Sequence, residues 1–173
     1  AMVVGIPNTG KSTAINALCG RKGTRTGNRP GVTRGLQWLT GRHGLELLDT
    51  PGLLWPKLER EHTRFALAVT GAVPDHLLDS LQLARRLVEF LRERYPDSLR
   101  SRYGLEPDEG VVPNEGEGGE ALRILEHIGR ARGPLAPGGA VDMERTAQVL
   151  IQDFREGRLG PITLETPEDE PPV

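Results

Sequence analysis

The 173-residue chain has one cysteine, Cys19, two tryptophans, two tyrosines and three phenylalanines. A lone thiol excludes an internal disulfide framework and a zinc site built from several cysteines, since both need more than one sulfur. With aromatics at 4%, the core must be aliphatic and modest in size. No apolar run approaches the roughly 20 residues that span a bilayer. The opening Ala1–Val4 is also too short for the apolar region of a signal peptide. These shortages predict a cytoplasmic chain with no membrane partner, and the length predicts one domain or two small ones.

Glycine and proline, by contrast, are plentiful, at 22 and 14 residues, and they interrupt regular elements repeatedly. The formal net charge of −2 hides an asymmetry. Residues 1–55 carry seven Lys or Arg against Glu46 and Asp49, whereas the remainder carries 15 basic residues against 22 acidic ones. The front of the chain therefore suits an anionic ligand.

Periodicity orders the chain as follows. Val3 and Val4 read as the end of a buried strand, and Ser12–Leu18 as the first turns of a helix. Residues 21–35 lack an apolar period and predict a mobile loop. Leu36–Thr40 and Leu45–Leu48 predict two strands joined by a tight turn. Beyond Pro56 the pattern becomes helical, with Leu77, Leu81, Ala84, Val88, Leu91 and Tyr95 on one face. A short helix over Ser98–Tyr103 is expected to be capped by Asp97 and ended by Gly104. Residues 106–119 are acidic, rich in Gly and Pro, and predict a disordered loop. Glu120–Arg132 resumes a helix, and Asp142 caps a last one ending near Gly157, with Met143, Ala147, Leu150 and Phe154 as its buried stripe. A frayed tail follows from residue 166. The resulting fold class is α/β, part of a three-layer P-loop domain over residues 1–60, followed by an all-α domain over 61–165.

Chemistry concentrates in Gly5-Ile6-Pro7-Asn8-Thr9-Gly10-Lys11-Ser12-Thr13, which satisfies the phosphate-loop pattern between a strand and a helix. A chain of this composition meets that pattern by chance roughly 0.004 times. Glycines let backbone N–H groups curl around phosphate oxygens, and the helix start adds its positive dipole end. Asn8, Thr9, Gly10, Lys11, Ser12 and Thr13 are thus the candidate nucleotide-binding residues. Lys11 would reach the β- and γ-phosphates and Ser12 would bind Mg2+. Asp49-Thr50-Pro51-Gly52, at the end of an apolar strand, supplies a second half. Asp49 is a candidate Mg2+ holder, and the Gly52 N–H a sensor of the γ-phosphate. Thr33 lies between the two motifs, where its hydroxyl could close over Mg2+ in an order–disorder switch. Lys11, Thr33 and Gly52 are the candidate catalytic residues. Arg21, Lys22, Arg25, Arg29 and Arg34 fit a solvated loop and an RNA or phosphate contact equally well.

GIPNTGKST, RPGVTRG and ELLDTPGLLWP, followed by VDMERTAQVLIQDFREGRLGPITLE, resemble the ribosome biogenesis GTPase A family, the YlqF type of circularly permuted GTPase. The resemblance implies hydrolysis of GTP to GDP, Mg2+ as cofactor, and late assembly of the large ribosomal subunit precursor. It also implies a helical C-terminal domain on ribosomal RNA and a chain acting as a monomer. In potassium-dependent relatives the residue matching Asn8 helps hold K+ beside the phosphates; a loop-stabilising side-chain hydrogen bond is the other reading of Asn8.

Two departures qualify these expectations. The chain contains no Asn-Lys-x-Asp segment to recognise guanine, and only four residues precede Gly5, so it reads as the C-terminal part of a longer protein. Weak or unselective guanine-nucleotide binding follows. Leu53 and Leu54, as in the family, stand where many GTPases have a water-orienting Gln, which predicts slow unassisted turnover raised by K+ and by the ribosomal particle. The rival reading is a nucleotide-independent module binding ribosomal RNA or the ribosome. In the acidic C-terminal half, RNA contact would need a local basic face, either Arg123, Arg130 and Arg132 or Arg145, Arg155 and Arg158. His43, His62, His76 and His127 show no metal spacing. Trp38 and Trp55 read as packing residues, and Cys19 as a small buried one.

Overall fold

A computed structural model describes residues 1–20, 33, 35–41, 44–54, 60–105, 119–132 and 139–166. Of the loop expected over 106–119, residues 106–118 lie outside the described residues and Gly119 opens the following helix; the tail beyond 166, Arg21, Lys22, Arg25, Arg29, Arg34, His43 and Trp55 also lie outside. The chain divides into two compact units, Ala1–Leu77 and Leu78–Val173.

The first unit is built on a mixed sheet of three short strands, β1 (Met2–Val3), β2 (Gln37–Thr40) and β3 (Glu46–Asp49), ordered β1-β3-β2. β1 runs parallel to β3, with Met2 opposite Leu48 and Val3 opposite Asp49. β2 is antiparallel to β3, pairing Gln37 with Asp49 and Leu39 with Leu47. Side chains alternate along a strand, so Leu47 and Asp49 share one face. Leu47 packs there with Ile15 and Cys19 of helix α1 (Lys11–Cys19), and Val3 and Leu39 complete the cluster. The opposite face carries Met2, 61% exposed, and Trp38, 68% exposed. Trp38 is therefore a surface residue and not the packing residue expected, because register places it beside Leu48 on the face away from α1. Helix α2 (Glu61–Val69) closes the unit, burying Phe65, Ala68 and Val69.

The second unit is helical, as the change of period predicts: α3 (Ser80–Arg94), α4 (Pro96–Tyr103), α5 (Gly119–Arg132) and α6 (Met143–Arg155). Asp79 caps α3 by accepting from the Gln82 N–H at 2.9 Å, and Asp142 caps α6 through Arg145 at 3.0 Å. Asp97 is not a cap. Proline lacks an N–H and fits a helix's first turn, so α4 begins at Pro96 with Tyr95 before it, and Asp97 falls inside. Gly104, at φ 69°, ends α4.

The buried stripe of α3 is Leu83, Ala84, Leu87, Val88 and Leu91. Leu77, expected on it, sits in a 3-10 turn before the helix and is 68% exposed. Leu81 and Tyr95 are only half-buried. In α6, Ala147 and Leu150 are buried as expected, but Thr146, Ile151 and Asp153 join them while Met143 and Phe154 stay half-buried. Ile124, Leu125 and Ile128 of α5 and Leu99 of α4 fill the same core.

Candidate functional site

The phosphate-loop residues lie between β1 and α1. Gly10 adopts φ 78°, a left-handed conformation that favours glycine, and supplies no side-chain cap for α1. An uncapped helix start directly after a tight loop is the arrangement that receives phosphate. The Lys11 ammonium donates to the Ile6 carbonyl at 2.6 Å, and the Thr9 hydroxyl to the same oxygen at 3.0 Å. Asn8, the only non-glycine described residue at positive φ (58°), donates its side-chain amide to the Thr70 carbonyl at 3.1 Å. Thr13 is exposed on the first turn of α1.

Asp49 arrives from the other side. Sharing the face of Leu47, it points toward the start of α1 and is completely buried. The Ser12 hydroxyl donates to its Oδ2 at 3.0 Å, and the Thr33 hydroxyl contacts the same oxygen at 3.4 Å. The two hydroxyls stand 3.0 Å apart. Residues 12, 33 and 49, widely spaced in sequence, thus present three oxygens to one point. Asp49 Oδ1 is buried without a hydrogen-bond partner. An anionic oxygen so placed costs several kcal/mol unless a cation or donor meets it. Hard oxygens from two hydroxyls and a carboxylate are the donor set that suits Mg2+, so these residues fit that ion. Among the described residues no group of three His, Cys, Asp or Glu side chains offers a different metal site.

Gly52 is held against the loop. A Cβ on it would lie 2.5 Å from the Pro7 Cα, and the Leu53 N–H donates to the Gly5 carbonyl at 3.3 Å. Only glycine lets the two main chains approach this closely. Thr50 fastens the same segment to β1 through the Val3 carbonyl at 2.8 Å. Leu53 is 76% exposed.

The second unit holds a constellation that sequence reasoning missed. Asp153 is 1% exposed and accepts from Arg102 Nε at 2.8 Å, Arg102 Nη2 at 3.2 Å, the Tyr103 hydroxyl at 2.9 Å and Arg158 Nη1 at 2.7 Å. Arg132 lies 4.0 Å away and sits over the Tyr103 ring at 5.5 Å. Burial is the largest single influence on the Asp153 carboxyl and pushes its pKa up, but the hydrogen bonds from Arg102, Arg158 and Tyr103 together outweigh it and hold it at about 2. Burial, followed by the bond to Asp153, pushes the Tyr103 hydroxyl up. The hydrogen bond to Asp153 raises Arg102. The signal available in sequence was an acid on the apolar face of α6, one position before Phe154.

A parallel strand followed by a phosphate loop, a helix and a second strand ending in Asp-Thr-Pro-Gly defines a P-loop GTPase fold. Residues 1–96 match the model of the 50S ribosome-binding GTPase family, and the chain belongs to that family. It is 43% identical to Ribosome biogenesis GTPase A of Bacillus licheniformis over 98% of this chain and 56% of that protein. Identity to the protein of the same name in Thermotoga maritima is 32%, over 99% of this chain and 58% of that one. The chain thus spans about half the length of the curated relatives it matches. A crystal structure of GNP-bound YlqF from T. maritima superposes with a TM-score of 0.59 at 28% identity, covering 96% of this chain and 59% of that one. Among the described residues, no helix is long and apolar enough to cross a membrane.

Proposed function

We propose that this chain carries the phosphate-binding and switch machinery of a GTPase that serves assembly of the large ribosomal subunit. The carrying observation is the meeting of Ser12, Thr33 and Asp49 beside an uncapped α1, with one Asp49 oxygen left unpartnered. GTP is the substrate, GDP the product, and ribosomal RNA of the subunit precursor the partner. Bound Mg2+ would neutralise phosphate charge and answer Asp49 Oδ1.

The roles of the chain's own residues follow from their positions. Lys11 exchanges the Ile6 carbonyl for a phosphate oxygen. Main-chain amides of the loop and the first turn of α1 orient the triphosphate. Thr33 and the Gly52 N–H report on the γ-phosphate, one through its hydroxyl and the other through the backbone. With Leu53 at the position after Gly52, no side chain there orients a water, so unassisted hydrolysis is slow. The Asn8 amide is held by the Thr70 carbonyl; K+, if bound by the Asn8 side-chain oxygen, would raise turnover, as would the ribosomal particle. Within these 173 residues nothing of the Asn-Lys-x-Asp type selects guanine.

Titration of the chain with labelled GTP and ATP, with and without Mg2+, tests this. Binding of both triphosphates that strengthens with Mg2+ and disappears in Lys11→Ala is the expected result. Absence of triphosphate binding, with ribosomal-particle binding retained by Lys11→Ala in nucleotide-free buffer, would establish the nucleotide-independent RNA-binding reading instead.

A further inference from the structure

The Asp-Thr-Pro-Gly segment is tied to β1 and the phosphate loop at two points, and the two ties are unequal. The Thr50 hydroxyl donates to the Val3 carbonyl at 2.8 Å, and the Leu53 N–H donates to the Gly5 carbonyl at 3.3 Å. N–H···O bonds cluster at about 2.9–3.0 Å, so the second tie is a long one. Thr50 is 8% exposed and stands one position beyond Asp49, the last residue of β3, which pairs with Val3. Its side chain thus carries the attachment to β1 past the end of the strand.

Only Pro51 and Gly52 lie between the two ties. Proline fixes its own φ and has no N–H to bond elsewhere. Gly52 rests against Pro7, where a Cβ would meet the Pro7 Cα at 2.5 Å, so no side chain at that position can hold it. Glycine also has the most backbone freedom of any residue. The Gly52 N–H is therefore aimed by the attachments on either side of it, and the shorter of these is the Thr50 hydroxyl. Asp49 is placed differently. It pairs in the sheet with Val3 on one side and Gln37 on the other, and its carboxylate meets Ser12 and Thr33. Those constraints stay in force without the Thr50 hydroxyl. The carboxylate depends on Thr50 little, and the amide strongly.

We infer that the Thr50 hydroxyl is a positioning group that sets the preference of this chain for a nucleoside triphosphate over a diphosphate, acting through the Gly52 N–H. The inference rests on the proposed phosphate site and assigns its discrimination to a side chain whose own hydrogen bond goes to β1. Only the triphosphate carries a γ-phosphate, so an amide that binds it contributes to one ligand and not to the other. The loop amides serve the β-phosphate, which both nucleotides share.

Fluorescence anisotropy with ribose-labelled GDP and the ribose-labelled β,γ-imido analogue of GTP, each titrated with the full chain in excess Mg2+, tests it. Thr50→Val keeps the branched shape and removes the donor. It should weaken the triphosphate analogue about fivefold, the worth of one hydrogen bond, and leave GDP within about twofold of the parent. Thr50→Ser keeps the hydroxyl without the methyl group and should retain the parent ratio of the two affinities, which a packing role does not predict. Circular dichroism melts establish that each variant is folded. Where Thr50→Val fails to fold, Thr50→Ala supplies the same comparison, and unfolding of both overturns the inference by assigning Thr50 to stability alone. Equal weakening of both nucleotides in a folded variant, or unchanged affinity for both, overturns it and leaves the phosphate site standing. Absence of triphosphate binding by the parent overturns both.

Discussion

Asp49 and Asp153 are the two buried acidic residues among those described, 0% and 1% exposed, one in each compact unit. Their surroundings differ in kind. Asp153 meets two guanidinium groups and a phenol at hydrogen-bond distance, with a third guanidinium at 4.0 Å. Asp49 meets two hydroxyls, and its other oxygen has no partner. A buried carboxylate answered by cations within its own chain holds a fold together. One answered by neutral donors, with an oxygen left over, is a candidate for a ligand from outside. The same side chain, equally buried, is structural in one unit and a ligand candidate in the other, and the partners decide which.

Several measurements would break or sharpen that contrast. The largest effect is expected for Asp153→Ala, which strands the buried Tyr103 hydroxyl and removes charge-assisted bonds from Arg102 and Arg158, themselves 26% and 48% exposed to water. With solvent answering the two guanidinium groups, the loss is about 1–3 kcal/mol. Urea unfolding followed by far-ultraviolet circular dichroism should show that loss, and parent-like unfolding would end the contrast.

Asp49→Asn should act on the other axis. It keeps the size and one acceptor oxygen but removes the charge that Mg2+ requires. Mg2+-dependent triphosphate binding should weaken about 10- to 100-fold, while the nucleotide-free chain is not destabilised by more than about 1 kcal/mol, since an unpartnered buried charge is removed. Destabilisation as large as that of Asp153→Ala would mean that Asp49 too is chiefly structural.

Acid separates Asp153 from ordinary carboxylates. Its pKa is lowered from 3.8 to about 2 in the folded chain. The unfolded chain therefore binds the proton more readily, and the stability contributed by Asp153 is fully present above about pH 4 and is lost as pH falls toward 2. Asp153→Asn should lack this component, so the stability gap between parent and variant should narrow over that window.

Arg132→Ala should have the smallest effect. At 4.0 Å its contact with Asp153 is long, and its stacking on Tyr103 is partly exposed. A loss of about 0.5–1 kcal/mol is expected, read as a small shift in the urea midpoint.

Legibility followed the range of the interaction. Gly5–Thr13 and Asp49–Gly52 stand out in the sequence because each needs particular residue types at fixed local spacings. Asp142 was legible as a cap because it bonds an amide three residues on. Asp97 misled for a local reason that was present, since Pro96 already provides a helix start. Trp38 misled because strand period gives alternation but not which face is covered. Only Arg158, five residues on, lies near Asp153 in sequence; Tyr103 and Arg102 sit 50 and 51 residues away and could not be paired with it from sequence.

By itself, then, the sequence determined the phosphate-loop pattern, the Asp-Thr-Pro-Gly motif at the end of a strand and the helical character beyond Pro56. These rest on main-chain geometry within a few residues. Tertiary structure alone decided that Ser12 and Thr33 converge on Asp49, leaving one oxygen unanswered, and that one carboxylate gathers arginines from α4, α5 and the segment after α6. Burial makes a charge seek partners wherever packing brings them, and packing joins residues that chain order keeps apart.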